Sequence, residues 1–146
     1  MIGFSNVIKA LISYEKPITI HNNITKITIP SNSYNDDMNH LNMRGFPALE
    51  ELIIGSNCVG GVNSLILNEM NGIESIVIGE SSLFNTSSIM MVDLPLLDHV
   101  EMREDALYGG GSNSSLMLVN LPSLRNISSI GNSFVELRNL IATSSL

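Results

Sequence analysis

One pattern constrains this chain more than any other. The stretch Leu49-x-x-Leu52-x-Ile54-x-x-Asn57-x-Val59 recurs along nearly the whole sequence. In register with it run Ile24-x-x-Ile27-x-Ile29-x-x-Asn32-x-Tyr34, Ile73-x-x-Ile76-x-Ile78-x-x-Ser81-x-Leu83, Leu97-x-x-Val100-x-Met102-x-x-Asp105-x-Leu107 and Leu124-x-x-Ile127-x-Ser129-x-x-Asn132-x-Phe134. The starts at 24, 49, 73, 97 and 124 step by 25, 24, 24 and 27 residues. A fixed period in this range is the signature of a solenoid.

Each unit holds a second apolar pair: Leu41/Met43, Leu65/Leu67, Ile89/Met91, Leu116/Leu118 and Leu140/Ala142. Both sets alternate with period two, as strands with one buried face do. A single coil cannot bury its inward residues, whereas stacked coils bury a continuous core. The pattern therefore predicts a β-rich solenoid with two short strands per repeat, two parallel sheets and little or no helix. A bulky apolar residue follows the second pair, often with proline after it: Phe46-Pro47, Met70, Leu94-Pro95 and Leu121-Pro122. The extra residues of the long step fall in the Gly/Ser-rich run 109–115, a surface bulge where insertion costs least.

The shared segment resembles the leucine-rich repeat family, LxxLxLxxNxL, over roughly residues 22–146. The resemblance implies a right-handed coil of stacked parallel strands. It also implies a ladder in which the Asn side chain bonds backbone groups of adjacent turns. Asn32, Asn57 and Asn132 fit that role, while Ser81 and Asp105 stand at the same position and depart from it. Ser donates and accepts, but ionised Asp only accepts, so the ladder should be weakest at Asp105.

The 146 residues suit one repeat domain: 1–23 as a degenerate first repeat or a capping helix ended by Pro17, and 24–146 as five repeats. With 44% apolar residues the chain can bury a sizeable core. A net charge of −7 without a basic cluster makes nucleic acid and anionic membrane surfaces poor partners. The single Cys58 occupies a position otherwise held by Ser33, Ser82, Ala106 and Ser133, and reads as a small inward residue. No apolar run approaches a membrane span, and Met1–Ser13 lacks the features of a signal peptide. Sequons at Asn23, Asn85, Asn113 and Asn126 are what a chain rich in Asn, Ser and Thr produces by chance. A cytosolic protein, or a fragment of one, is expected.

Function should reside in the outward columns. One column reads Thr25, Glu50, Glu74, Asp98, Arg125 and another Thr28, Ile53, Val77, Glu101, Ser128, an acidic face that is either solvated or docks a basic segment. On the second strand the outward column is Asn42, Ile66, Met90, Met117, Ile141, an apolar ladder that points to an interface. The polar segment 35–40, with Asp36-Asp37, reads as a solvated turn, and His21, His40 and His99 share no metal-ligand spacing. His99, Glu101, Arg103, Glu104 and Asp105 form the one charged cluster that acid–base chemistry could use, but no nucleophile or phosphate motif accompanies it. Tyr14, Tyr34 and Tyr108 form no outward aromatic column for a sugar. The expectation is a non-catalytic protein-interaction scaffold without metal or cofactor. The alternatives are a structural segment of a longer array, self-associating through the apolar stripe or uncapped ends, and a carbohydrate-active β-solenoid enzyme.

Overall fold

The structure is a computed structural model that describes residues 22–33, 40–43, 46–107, 114–133 and 137–143. The readings of residues 1–20, of Asp36-Asp37, of the run 109–113 and of Tyr14, Tyr34, Tyr108 and Phe134 lie outside them. The chain forms a parallel β-solenoid. One sheet holds β1 (Lys26–Ile29), β3 (Glu51–Ile54), β5 (Ser75–Ile78), β7 (His99–Met102) and β9 (Asn126–Ser129), paired in that order. The other holds β2 (His40–Met43), β4 (Ser64–Asn68), β6 (Ser88–Val92), β8 (Ser114–Val119) and β10 (Leu137–Thr143), stacked in the same coil order.

The register is the one that the repeat predicts. Ile27, Leu52, Ile76, Val100 and Ile127 stand opposite one another along the first sheet. Leu41, Leu65, Ile89, Leu116 and Leu140 do so along the second. Alternation sends these residues and their partners two places on into one slab, where Ile27 through Met102 and Leu41 through Met91 are buried. In the last coil the same positions open: Ile127 is 39% and Leu140 62% exposed. Each of them has a coil on one side only among the described residues.

The corners are built from backbone conformation. In three coils two residues with positive φ flank a small one: Asn57 (50°) and Val59 (50°), Ser81 (53°) and Leu83 (53°), Asp105 (55°) and Leu107 (62°). The left-handed region aims successive N–H groups up and down the stack. Asn57 N–H donates to Glu80 O in the following coil (2.8 Å), and Val59 N–H to Ser33 O in the preceding one (3.0 Å). Ser81 and Leu83 repeat this with Glu104 O (3.0 Å) and Cys58 O (3.2 Å). A third left-handed column, Glu69, Asp93 and Asn120, turns the chain after the second sheet. The proline positions then close i→i+3 turns, with Leu49 N–H on Phe46 O and Leu97 N–H on Leu94 O. Proline suits them because its fixed φ matches the second residue of such a turn.

At Gly55 and Gly79, directly after β3 and β5, the coils approach too closely for a side chain. A Cβ on Gly79 would lie 2.5 Å from the backbone carbon and oxygen of Gly55. Gly79→Ala is expected to destabilise the domain by about 1–3 kcal/mol through overpacking, read as a lower urea midpoint with unchanged slope.

Candidate interaction surface

At the ladder positions the structure shows a side-chain pair and a shared backbone conformation. Asn32 and Asn57 are exposed, and their side chains bond each other, Asn57 Nδ2 donating to Asn32 Oδ1 at 2.9 Å. What unites Asn32, Asn57, Ser81 and Asp105 is positive φ, which Asn and Asp tolerate better than most residues. Asn132 departs: in its coil the left-handed residue is Gly131 (φ 70°).

Side-chain bonds to the backbone of neighbouring coils come one residue later. Ser82 Oγ donates to Gly55 O of the preceding coil and accepts from Cys58 N–H at 3.3 Å. Ser133 Oγ donates to Arg103 O at 2.7 Å. Ser33 Oγ bonds Pro30 O within its own coil. At Ala106 the hydroxyl is missing, and next to it Asp105 Oδ1 is closed off from solvent without a hydrogen-bond partner among the described residues. The ladder thus thins in the coil where the Asp was expected to weaken it, for a different reason. The repeat pattern carried the signal in its run of small residues, but their size suggested packing rather than bonding.

Cys58 completes that column as a buried thiol whose Sγ lies 3.0 Å from Gly55 O. Burial pushes its pKa up, and the hydrogen bond with Ser82 opposes this.

The acidic column is less uniformly charged than its residues suggest. The Arg125 guanidinium bonds Asp98 and holds its carboxyl below the usual carboxylate range, and His99 Nδ1 lies 3.6 Å from Asp98 Oδ2. Arg103 Nε donates to Glu101 Oε1 at 2.9 Å, and Lys26 reaches Glu51 at 2.5 Å. Glu50 and Glu74 are exposed and form no ion pair among the described residues. The cluster of His99, Glu101, Arg103, Glu104 and Asp105 is therefore split: His99 leans on Asp98, Glu101 is held by Arg103, and Asp105 sits at the corner.

The apolar column is a continuous strip. Asn42, Ile66, Met90, Met117 and Ile141 are consecutive partners across the second sheet, and all point outward. Ile66, Met90 and Met117 are half-buried by their neighbours, and Ile141 is exposed. Beside them run His40, Ser64, Ser88, Ser115 and Asn139 on one flank and Asn68, Val92, Val119 and Thr143 on the other. The described outer face of this sheet carries no Asp, Glu, Lys or Arg side chain. In a chain of net charge −7 that is a segregated surface. Asn42 Oδ1 and Asn68 Oδ1, around Ile66, are buried without a hydrogen-bond partner among the described residues.

No protein-family model, curated protein sequence or solved structure matches this chain.

Two outcomes test the corner. Ser82→Ala removes a donor and leaves buried Gly55 O and Cys58 N–H to lose a partner, so it is expected to cost about 1–3 kcal/mol. Asn57→Gly, which keeps the left-handed turn, is expected to change stability by only a few tenths of a kcal/mol; chemical denaturation separates the two. The Cys58 shift has a definite sign. A thiol whose pKa is raised by folding contributes stability that is complete below its ordinary value near 9.0 and is lost as pH rises through the folded value. Thermal melts are therefore expected to fall above that pH more steeply in the native chain than in Cys58→Ser.

Proposed function

We propose that this chain is a non-catalytic protein–protein interaction scaffold of the leucine-rich-repeat kind, docking its partner through the outer face of the second sheet. The observation that carries the reading is the in-register strip Ile66, Met90, Met117 and Ile141 on a face whose described side chains include no Asp, Glu, Lys or Arg. Stacked strands lie about 4.8 Å apart, so the four side chains form one unbroken contact. Methionine adapts its shape to a partner, and uncharged Ser, Asn and Thr flanks carry a small desolvation cost.

Magnitudes bound the affinity. Fully burying such a side chain is worth about 1.5–3 kcal/mol. Three of the four are already half-buried, so the strip yields the lower end of that range. Association itself costs roughly 4–15 kcal/mol. The strip alone therefore supports a weak, exchangeable complex, and a tight one draws on Val92 and Val119 as well. The acidic face is the poorer docking surface, because Asp98 and Glu101 are already engaged by Arg125 and Arg103. Glu50 and Glu74 remain for a basic partner.

A second reading, a segment of a longer array, is favoured by one observation. Ile127 and Leu140 stand at inward positions yet are exposed, and a further coil or the end of another copy would cover them.

Met90→Lys with Met117→Lys tests the first reading. The unaltered chain is expected to associate in sedimentation as its concentration rises, and the double variant is expected to lose that association while keeping its circular dichroism and melting behaviour. Unfolding of the variant would make the strip part of the core. Association that survives it, but disappears in Ile127→Asp, assigns the contact to the end of the stack.

A further inference from the structure

The outer face of the second sheet reads the same in both directions along the stack. Its central column runs Ile66, Met90, Met117, Ile141, with methionine in the two middle coils and isoleucine in the two outer ones. One flank runs Ser64, Ser88, Ser115, Asn139 and is polar throughout. The other runs Asn68, Val92, Val119, Thr143, with valine inside and a polar residue at each end. All three columns are palindromic in character about the line between β6 and β8. The row of β2, with Asn42, lies outside the palindrome.

A palindromic face is what a twofold interface needs, because the same patch serves both copies and residue i meets j wherever j meets i. A twofold axis along the strand direction, in the gap between β6 and β8, sets the coils of two copies in opposite order. Met90 then faces Met117 of the second copy, and Ile66 faces Ile141 of the second copy. By the same operation Val92 meets Val119, Ser88 meets Ser115 and Asn68 meets Thr143. Apolar lies on apolar, and the facing hydroxyls and carboxamides both donate and accept. An axis along the stack would exchange the flanks instead and lay Ser88 on Val92 and Ser115 on Val119.

Charge selects the same face. Each copy carries a net charge of −7, so two copies repel each other. The described side chains of this face include no Asp, Glu, Lys or Arg, and the acidic columns run along the other sheet, away from the contact. A basic partner finds no counter-charge here, whereas a second copy meets this face at little electrostatic cost. We infer that the chain forms a symmetric dimer through the second sheet, an inference that rests on the docking reading and names the partner as another copy. Four strands about 4.8 Å apart, each contributing five residues at about 3.3 Å, give a patch on the order of 300 Å² per copy. A standard interface takes roughly 800 Å² from each partner, so this dimer is weak and exchanges rapidly.

Sedimentation of the native chain at rising concentration tests the dimer. A monomer–dimer equilibrium is expected, with a dissociation constant of about 10 μM to 1 mM for so small a contact. Added sodium chloride is expected to tighten it by screening the repulsion between copies, whereas salt weakens a complex held by opposite charges. Met90→Lys and Met117→Glu are each expected to weaken the dimer about tenfold or more, since each takes an unpaired charge out of water. Their equimolar mixture is expected to recover about tenfold, because the new ammonium of one copy then faces the new carboxylate of the other. Val92→Lys with Val119→Glu repeats the complementation at a second pair, and circular dichroism reports the fold of every variant. A native chain that stays monomeric at every concentration overturns the dimer. Mixtures as weak as their components overturn the twofold pairing but leave this face as the contact, since the single variants have already weakened it. Association untouched by every variant overturns the docking reading as well.

Discussion

The structure depends on hydrogen bonds that pass from coil to coil at the corners. A stack of strands needs turns whose backbone groups find partners above and below. The left-handed residues provide that: Asn57 N–H reaches forward to Glu80 O and Val59 N–H reaches back to Ser33 O. The conformation costs an ordinary L-residue roughly 1–2 kcal/mol. At Asn57, Ser81 and Asp105 the cost is reduced by short polar side chains that tolerate the region. At Val59, Leu83 and Leu107 it is offset by burial, worth about 1.5–3 kcal/mol per side chain. The bulky residues therefore sit in a strained conformation only where the core rewards it.

The same periodicity sorts the surface. Alternation fixes what faces the core, so each outward position becomes a column repeated at strand spacing. One sheet displays charged side chains that partly cancel in pairs, such as Asp98 with Arg125 and Glu101 with Arg103. The other displays amides, hydroxyls and an apolar strip. Along that second face the outward positions repeat at strand spacing with changing side chains, from Asn42 through Ile66, Met90 and Met117 to Ile141.

How much was legible depended on whether a signal was periodic. The strand register, the inward pairs and the outward strip follow from spacing alone, since shifting a strand by one residue would invert every side chain. The role of Asn57 did not follow. A repeated Asn is compatible with side-chain bonding and with a left-handed backbone, and only coordinates separate them. The inter-coil hydroxyl bonds of Ser82 and Ser133 were hidden for a related reason: small residues at an inward position are needed for packing whether or not they bond.

The sequence by itself determined that this chain is a stack of two-stranded coils, because apolar alternation repeated every 24 to 27 residues has one economical way to be buried. It also determined which side chains form the strip, since register and alternation assign them without reference to any contact. The tertiary structure decided which polar groups meet: Arg125 with Asp98, Ser82 with Gly55 O, and Asn57 with Asn32. These pairings join residues more than twenty positions apart across adjacent coils. They depend on corner geometry at the scale of a hydrogen bond, which a repeat length does not encode.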